Sequence, residues 1–281
     1  MAGVLYIVAT PIGNLEDITL RALRVLKEAD LIAAEDTRYT QKLLSHYDIH
    51  TPLTSYHEHN ERTKAPALVQ RLLRGQTIAL VSDAGTPAIS DPGYRLVVAA
   101  VAAGVQVTPI PGPSALTAAL SAAALPTDRF AFEGFLPEKK KERRERLLAL
   151  RDEKRTLVLY EAPHRLKDTL DDIHHTLGDR ELVIAREVTK LHEEFLRGLV
   201  SDLIRQVSER DIKGEVTIIV RGSVAAESGV SQELLLTEIK RLQREGVGVK
   251  QISELLGERY SLPKRDVYRL ALARKSSEQE F

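Results

Sequence analysis

The sequence predicts an α/β protein built from two α/β domains with a small helical addition. Three observations carry this. Short apolar, β-branched runs alternate with amphipathic segments at helical spacing, glycine- and proline-rich loops directly follow two of those runs, and the pattern breaks around residues 124–128 before restarting. A chain of 281 residues is long enough for two domains at roughly 100 to 200 residues each. We place the boundaries at 1–123, 124–223 and 230–281.

The first domain opens with the buried run Gly3–Ala9, followed by a helix over 19–29 with Leu20, Leu23 and Leu26 on one face and Thr19 as its N-cap. A strand returns at 30–34. Further helices are expected at 40–47, 60–74, 92–103 and 114–123, separated by strands at 77–81 and 105–108, which makes a mostly parallel sheet with helices on its faces. Beyond residue 124 come strand candidates at 129–133, 155–160, 181–185, 193–197 and 215–220. The last two are separated by one short helix, so we expect them to pair antiparallel in a mixed sheet. After Val220 an Ala/Glu/Ser/Gly-rich linker precedes helices at 231–245, 249–256 and 264–273, and a break at 260–263 gives the last two a helix–turn–helix look.

Forty basic and forty acidic residues cancel, so no global field draws the chain to nucleic acid or membrane, and any such binding must use a local patch. Two segments are locally basic. Residues 138–155 hold nine Lys or Arg against five acids, and residues 240–275 hold ten against four. Such runs are either solvated faces or phosphate contacts. The absence of cysteine removes disulfides, thiolate nucleophiles and cysteine-ligated zinc and fits a reducing compartment, with cytoplasm the expectation. The N-terminus reads as a strand rather than a signal peptide. The longest apolar stretch, 96–105, is about half the ~20 residues a membrane-spanning helix needs, so no membrane is expected.

The chemistry concentrates in two loops, Ser82-Asp-Ala-Gly-Thr-Pro-Ala-Ile-Ser-Asp-Pro-Gly93 and Pro109-Ile-Pro-Gly-Pro-Ser-Ala115. Each follows a strand and leads into a helix, which is where open α/β sheets hold ligands. No G-x-x-x-x-G-K-[ST], helix-opening G-x-G-x-x-G, H-E-x-x-H or G-x-S-x-G occurs, so nucleoside triphosphates, dinucleotides and two common hydrolase classes find no support. His57-Glu-His59 has chelating residue types but no third placed ligand, and solvated loop histidines are the preferred reading over a metal site. Four more clusters end strands: Thr10-Pro-Ile-Gly-Asn14, Glu35-Asp-Thr-Arg38, Glu161-Ala-Pro-His-Arg165 and Arg186-Glu-Val-Thr-Lys-Leu-His-Glu-Glu194. Charges flush against hydrophobic strands are costly unless paired or used. Asp36, Glu161 and Glu187 have Arg38, Arg165 and Arg186 nearby as structural partners. Any one cluster is explained that way as easily as by function, but the full set is not.

In order and spacing these motifs closely resemble the ribosomal small-subunit 2′-O-ribose methyltransferase I family of the tetrapyrrole methylase superfamily, over roughly residues 4–275. The resemblance implies S-adenosylmethionine as methyl donor, bound in a cleft between two α/β domains of a homodimer. It implies a cytidine ribose in the decoding region of small-subunit RNA as acceptor. Carried over by position, the donor site involves Pro11, Gly13, Asp83, Gly85, Thr86, Ile89, Ser114 and Ala115. Members with tetrapyrrole substrates usually show Gly-Asp-Pro where this chain has Ser82-Asp83-Ala84, a departure that favours the RNA branch. Transfer to a ribose hydroxyl asks for aligned approach and for a cation or base at the developing alkoxide. Lys190 and Arg38 are the candidates for the cation, and Asp36 and Glu187 for orienting them or accepting the proton. Lys139, Lys140, Lys141, Arg143 and Arg144, with Lys264 and Arg265, are the expected phosphate contacts. An assembled 30S particle, presenting shape as well as charge, suits a neutral protein as acceptor. A porphyrin-like acceptor and a non-catalytic ribosome-assembly role stay open as alternatives.

Overall fold

A computed structural model describes residues 2–224, 232–260, 262 and 264–277. It divides into two compact units, Met1–Gly222 and Ser223–Phe281. The first unit carries two five-stranded sheets.

The first sheet contains β1 (Val4–Val8), β2 (Leu31–Ala34), β3 (Leu53–Ser55), β4 (Ile78–Val81) and β5 (Gln106–Ile110), all parallel, in the order β3-β2-β4-β1-β5. Each strand's alternating side chains feed two cores. Ile32, Ala34, Ala79 and Val81 face α1 (Leu20–Glu28) and α2 (Thr37–His46), while Leu31, Ala33, Ile78 and Leu80 face α3 (Glu61–Leu73) and α4 (Tyr94–Ala102). From the adjacent β1 and β4 the chain leaves in opposite directions, to β2 by way of α1 and to β5 by way of α4. That reversal opens a crevice at the carboxyl ends of β1 and β4. Thr19 caps α1 as expected, accepting the Ala22 N–H at 3.1 Å. Helix α2 starts three residues before its expected start because Asp36 caps it. Strand β3 is absent from the sequence-based expectation, because Leu-Thr-Ser is too short to show a period.

The second sheet contains β6 (Phe130–Phe135), β7 (Thr156–Glu161), β8 (Glu181–Arg186), β9 (Glu194–Leu199) and β10 (Val216–Val220), in the order β6-β7-β10-β8-β9. It is mixed: β6 and β7 are parallel and the other pairs antiparallel. The pairing expected between the last two strands is corrected. Strand β10 lies between β7 and β8, and β9 pairs with β8 alone. All five residues of β10 are buried, which demands a central place, whereas β9 is half-exposed and suits an edge. Helices α6 (Lys140–Ala149), α7 (Leu166–Leu177) and α8 (Val200–Ser208) cover one face. The other face, Val158, Val183, Ala185 and Ile219, packs against Ala119, Leu120 and Ala123 in and just beyond α5 (Ala115–Ser121).

The second unit has α9 (Gln232–Arg244), α10 (Val249–Arg259) and α11 (Lys264–Ser277) around Leu235, Ile239, Ile252, Leu256, Val267 and Ala271. Most of the expected linker, Ser231, and Ser261 and Pro263 of the expected break lie outside the described residues. No described helix is long and apolar enough to cross a membrane.

Candidate active site

The loops after β1 and β4 are stitched together. Thr10 and Gly85 exchange backbone hydrogen bonds of 2.9 and 3.0 Å, and the Thr10 hydroxyl donates to the Ser82 carbonyl at 3.1 Å. From Gly85 onward the β4 loop repeatedly enters the left-handed region, at Gly85 (φ 78°), Ala88 (69°), Ser90 (62°) and Gly93 (146°). Side-chain-bearing residues there cost of order 1 kcal/mol or more each, strain that concentrates where a chain is shaped around a ligand.

A cavity of about 360 Å³ lies where these loops meet the second sheet. Five of the expected donor residues line it: Gly85, Thr86, Ile89, Ser114 and Ala115. Pro11, Gly13 and Asp83 do not. They border a separate cavity of about 200 Å³ with Tyr39, Thr40, Lys42 and Ser82. Successive residues of an extended loop point to opposite sides, so Ile12 faces the larger cavity and its two neighbours the smaller. Sequence reasoning missed Ile12 and Asp91, and on the second sheet Tyr160, Val188, Glu215 and Thr217. Asp91 had a visible signal, an acid before Pro-Gly at the end of the special loop. Ile12 and Val188 lay inside strand-end clusters already singled out, while Tyr160, Glu215 and Thr217 had no signal, since only the pairing of β7, β8 and β10 brings them here.

The larger cavity is acid-lined. Burial, reinforced by Glu35, pushes the Asp91 carboxyl up to about 6. Burial likewise raises Glu35 and Asp83, the latter against the Asp36 N–H that donates to Asp83 Oδ1 at 2.9 Å. Glu161, 2% exposed, accepts the Thr169 hydroxyl at 2.6 Å and pairs with Arg165. Tyr160 accepts the Leu116 N–H at 3.2 Å, tying β7 to the start of α5.

The four residues expected at the reacting atoms form two separate pairs. Lys190 Nζ lies 2.8 Å from Glu187 and 3.2 Å from Glu215, which itself lines the larger cavity. Burial works against the Lys190 charge, but the hydrogen bonds to these two acids outweigh it and raise the amine, so Lys190 is a cation at neutral pH. Burial also opposes the Glu187 charge, and Lys190 and the Glu215 N–H overcome it. Arg186, the partner expected for Glu187, pairs with Glu194 instead. Glu187 and Thr189 sit at φ 50° and 70°, turning the loop back so that the Asn14 N–H donates to Thr189 Oγ1 at 3.2 Å. Gly13 is required there, because a Cβ would overlap the Lys190 side chain. The second pair, Arg38–Asp36, is 2.8 Å apart with Arg38 89% exposed, and the Arg38 hydrogen bonds hold Asp36 down at about 2.

Residues 4–204 match the model of the tetrapyrrole (corrin/porphyrin) methylases. The chain is 51% identical to the ribosomal RNA small subunit methyltransferase I of Halalkalibacterium halodurans, over 95% of this chain and 94% of that protein. It is 50% identical to the same-named protein of Synechocystis, over 96% and 98%. The chain belongs to the ribosomal RNA small subunit methyltransferase I family. The fold is shared more widely: the structure of a cobalt precorrin-4 methyltransferase aligns with TM-score 0.58 at 21% identity, over 78% of this chain and 94% of that one.

In this methyltransferase I family member one expected phosphate contact is corrected. Arg143 is 3% exposed, and its guanidinium is held at 2.8 and 2.7 Å by the buried Asp172 of α7. It faces inward from the first turn of α6 and meets no solvent. Arg144 also bonds Asp172, at 2.6 Å, but keeps its side chain 39% exposed. Lys139, Lys140 and Lys141 are exposed, and Lys139 is paired with Glu142. Lys264 and Arg265 are exposed on α11 of the other unit, Lys264 lying 3.7 Å from Glu258. His57 Nε2 bonds Asn60, and no group of three metal-binding side chains forms among the described residues.

Proposed function

We propose that this chain methylates the 2′-oxygen of a cytidine in the decoding region of small-subunit ribosomal RNA, using S-adenosylmethionine, and acts as a homodimer on the assembled 30S particle. The observation that carries this reading is the roughly half identity to ribosomal RNA small subunit methyltransferases I along nearly the whole chain.

The donor is a cation at its sulfonium and its ammonium, and the larger cavity offers carboxylates at Asp91 and Glu215 with apolar walls at Ile12, Ile89 and Val188. A volume near 360 Å³ suits a ligand of that size. The bound donor supplies an electrophilic methyl group. The protein's part is alignment: Gly85, Thr86, Ile89, Ser114 and Ala115 hold one wall, and Tyr160 and Thr217 the other. Lys190, kept charged by Glu187 and Glu215, stabilises negative charge on the ribose oxygen as its proton passes to solvent water. Asp36, ionised and committed to Arg38 and to capping α2, is a weak base, and its service is to orient Arg38. Lys139, Lys140, Lys141 and Arg144, with Lys264 and Arg265, meet phosphates.

The test is transfer of a labelled methyl group to small subunits from cells lacking the protein, followed by alkaline hydrolysis of the RNA. A hydrolysis-resistant labelled dinucleotide is expected. Label without resistance would move the methyl to a base, and no label would bring back the porphyrin-like acceptor. Lys190→Ala is expected to slow single-turnover transfer about 10²- to 10³-fold, as loss of an oxyanion donor does.

A further inference from the structure

The smaller cavity has the features of a base-binding subsite. Tyr39 and Lys42 stand one helical turn apart on α2 with Leu43 beside them, and all three line it with Pro11, Gly13 and Asp83. The Tyr39 ring is 50% exposed and has no aromatic, cationic or hydrogen-bonding partner among the described residues. Asp83 spends one carboxylate oxygen on the Asp36 N–H, and its other oxygen has no partner among the described residues. Lys42 is exposed with no ion-pair partner among them, and the neighbouring Arg38 is almost fully exposed. An open aromatic face, a half-buried acceptor and a lysine in the lining match a nucleotide: ring for stacking, carboxylate for an amino group, cation for phosphate.

We propose that this cavity of about 200 Å³ receives the cytosine base of the acceptor nucleotide, turned out of its stack, with Tyr39 against its face and Asp83 accepting from its exocyclic amino group. The assignment rests on the reading of the protein as a cytidine 2′-O-methyltransferase. Its geometry follows from the shared wall. The loop of Pro11, Ile12 and Gly13 separates the base cavity from the donor cavity, so a base in one brings its attached ribose to the edge of the other. Uracil presents an oxygen acceptor where cytosine presents a donor, so the same carboxylate repels it.

Two measurements on the full chain test this. In the first, cytidine 5′-monophosphate and uridine 5′-monophosphate are titrated by ligand-detected NMR against the protein and its Tyr39→Ala and Asp83→Asn variants, with S-adenosylmethionine affinity measured in parallel by calorimetry. Tyr39→Ala is expected to weaken the cytidine nucleotide about tenfold or more, with Tyr39→Phe restoring it and donor affinity unchanged. Asp83→Asn is expected to shrink the preference for cytidine over uridine about tenfold. Equal nucleotide binding by the parent and Tyr39→Ala, or a parallel loss of donor affinity, would overturn the subsite. In the second, methyl transfer is followed on small subunits carrying cytidine or uridine at the acceptor position. Cytidine is expected to be preferred by the parent and much less so by Asp83→Asn, and an unchanged preference overturns the role of Asp83. Failure of the parent to methylate any subunit would overturn the function reading, while the nucleotide titration would still decide the subsite.

Discussion

Asp91 makes the cost of a ligand site visible in a single residue. Its ordinary carboxyl value of 3.8 rises to about 6 in the folded chain. Between those values the folded state holds more protons than the unfolded one, so stability falls as pH rises through that window, and the penalty stays in full above it. Asp91→Asn removes the penalty. We expect the variant to be more stable than the parent at pH 7.5 by about 1 to 2 kcal/mol, after discounting for solvent screening in an open cavity, and the gain to vanish near pH 4 in thermal melts. The same titration predicts that affinity for the cationic donor falls as pH drops through about 6, measurable by calorimetry in buffers of matched ionisation enthalpy. Gly13 is the counterpart in space rather than charge. Gly13→Ala would drive the Lys190 side chain away, and we expect transfer to slow roughly a hundredfold, the scale of an ångström's misplacement, with little change in melting temperature.

Among the elements, α6 and its cap carry two kinds of basic residue that look alike in sequence. Arg143 and Arg144 converge on Asp172, which is 0% exposed. Removing Arg143 leaves the buried Asp172 with only the part-exposed Arg144, so Arg143→Ala is expected to cost about 2 to 3 kcal/mol in denaturant unfolding, less than the loss of a sole partner. Lys139, Lys140 and Lys141 are exposed on the same helix and at its cap. Replacing all three with glutamine should leave stability within about 0.5 kcal/mol. If they meet phosphates, the log–log salt slope of subunit binding should flatten by roughly 0.7 to 0.9 for each phosphate that is no longer neutralised. An unchanged slope would remove this face from the RNA interface.

For the whole molecule, zero net charge means that attraction to RNA comes from local patches rather than a global field. The two compact units have separate cores, so a chain ending at Gly222 should unfold cooperatively. Because the larger cavity is lined within that unit, such a chain should bind donor within about twofold of the parent; the removed helices carry Lys264 and Arg265, and binding to small subunits should weaken. Loss of donor binding by the shortened chain would place part of the donor site in the C-terminal helices.

Much of this was legible without coordinates. Two helix-covered sheets, all their strands but β3, the Thr19 cap and the strand-end loops follow from local rules: period in apolar residues, the special φ values of glycine and proline, and the habit of α/β sheets to bind ligands at strand ends, while the five expected donor residues that line the larger cavity came from the family resemblance. Those rules act over a few residues, which is why a single sequence suffices for them. What the tertiary structure alone decided involves residues far apart in the chain. Strand β10 inserts between β7 and β8 because its complete burial can be met only at the centre of a sheet. Tyr160, Glu215 and Thr217 reach the cavity through that pairing, Arg143 turns inward to an aspartate on another helix, and Pro11, Gly13 and Asp83 face a second cavity because the bridge between Thr10 and Gly85 sets which way each loop residue points. Facing is a property of neighbours that only long-range packing supplies, and in this protein it separates the residues we assign to the methyl donor from those we assign to the base.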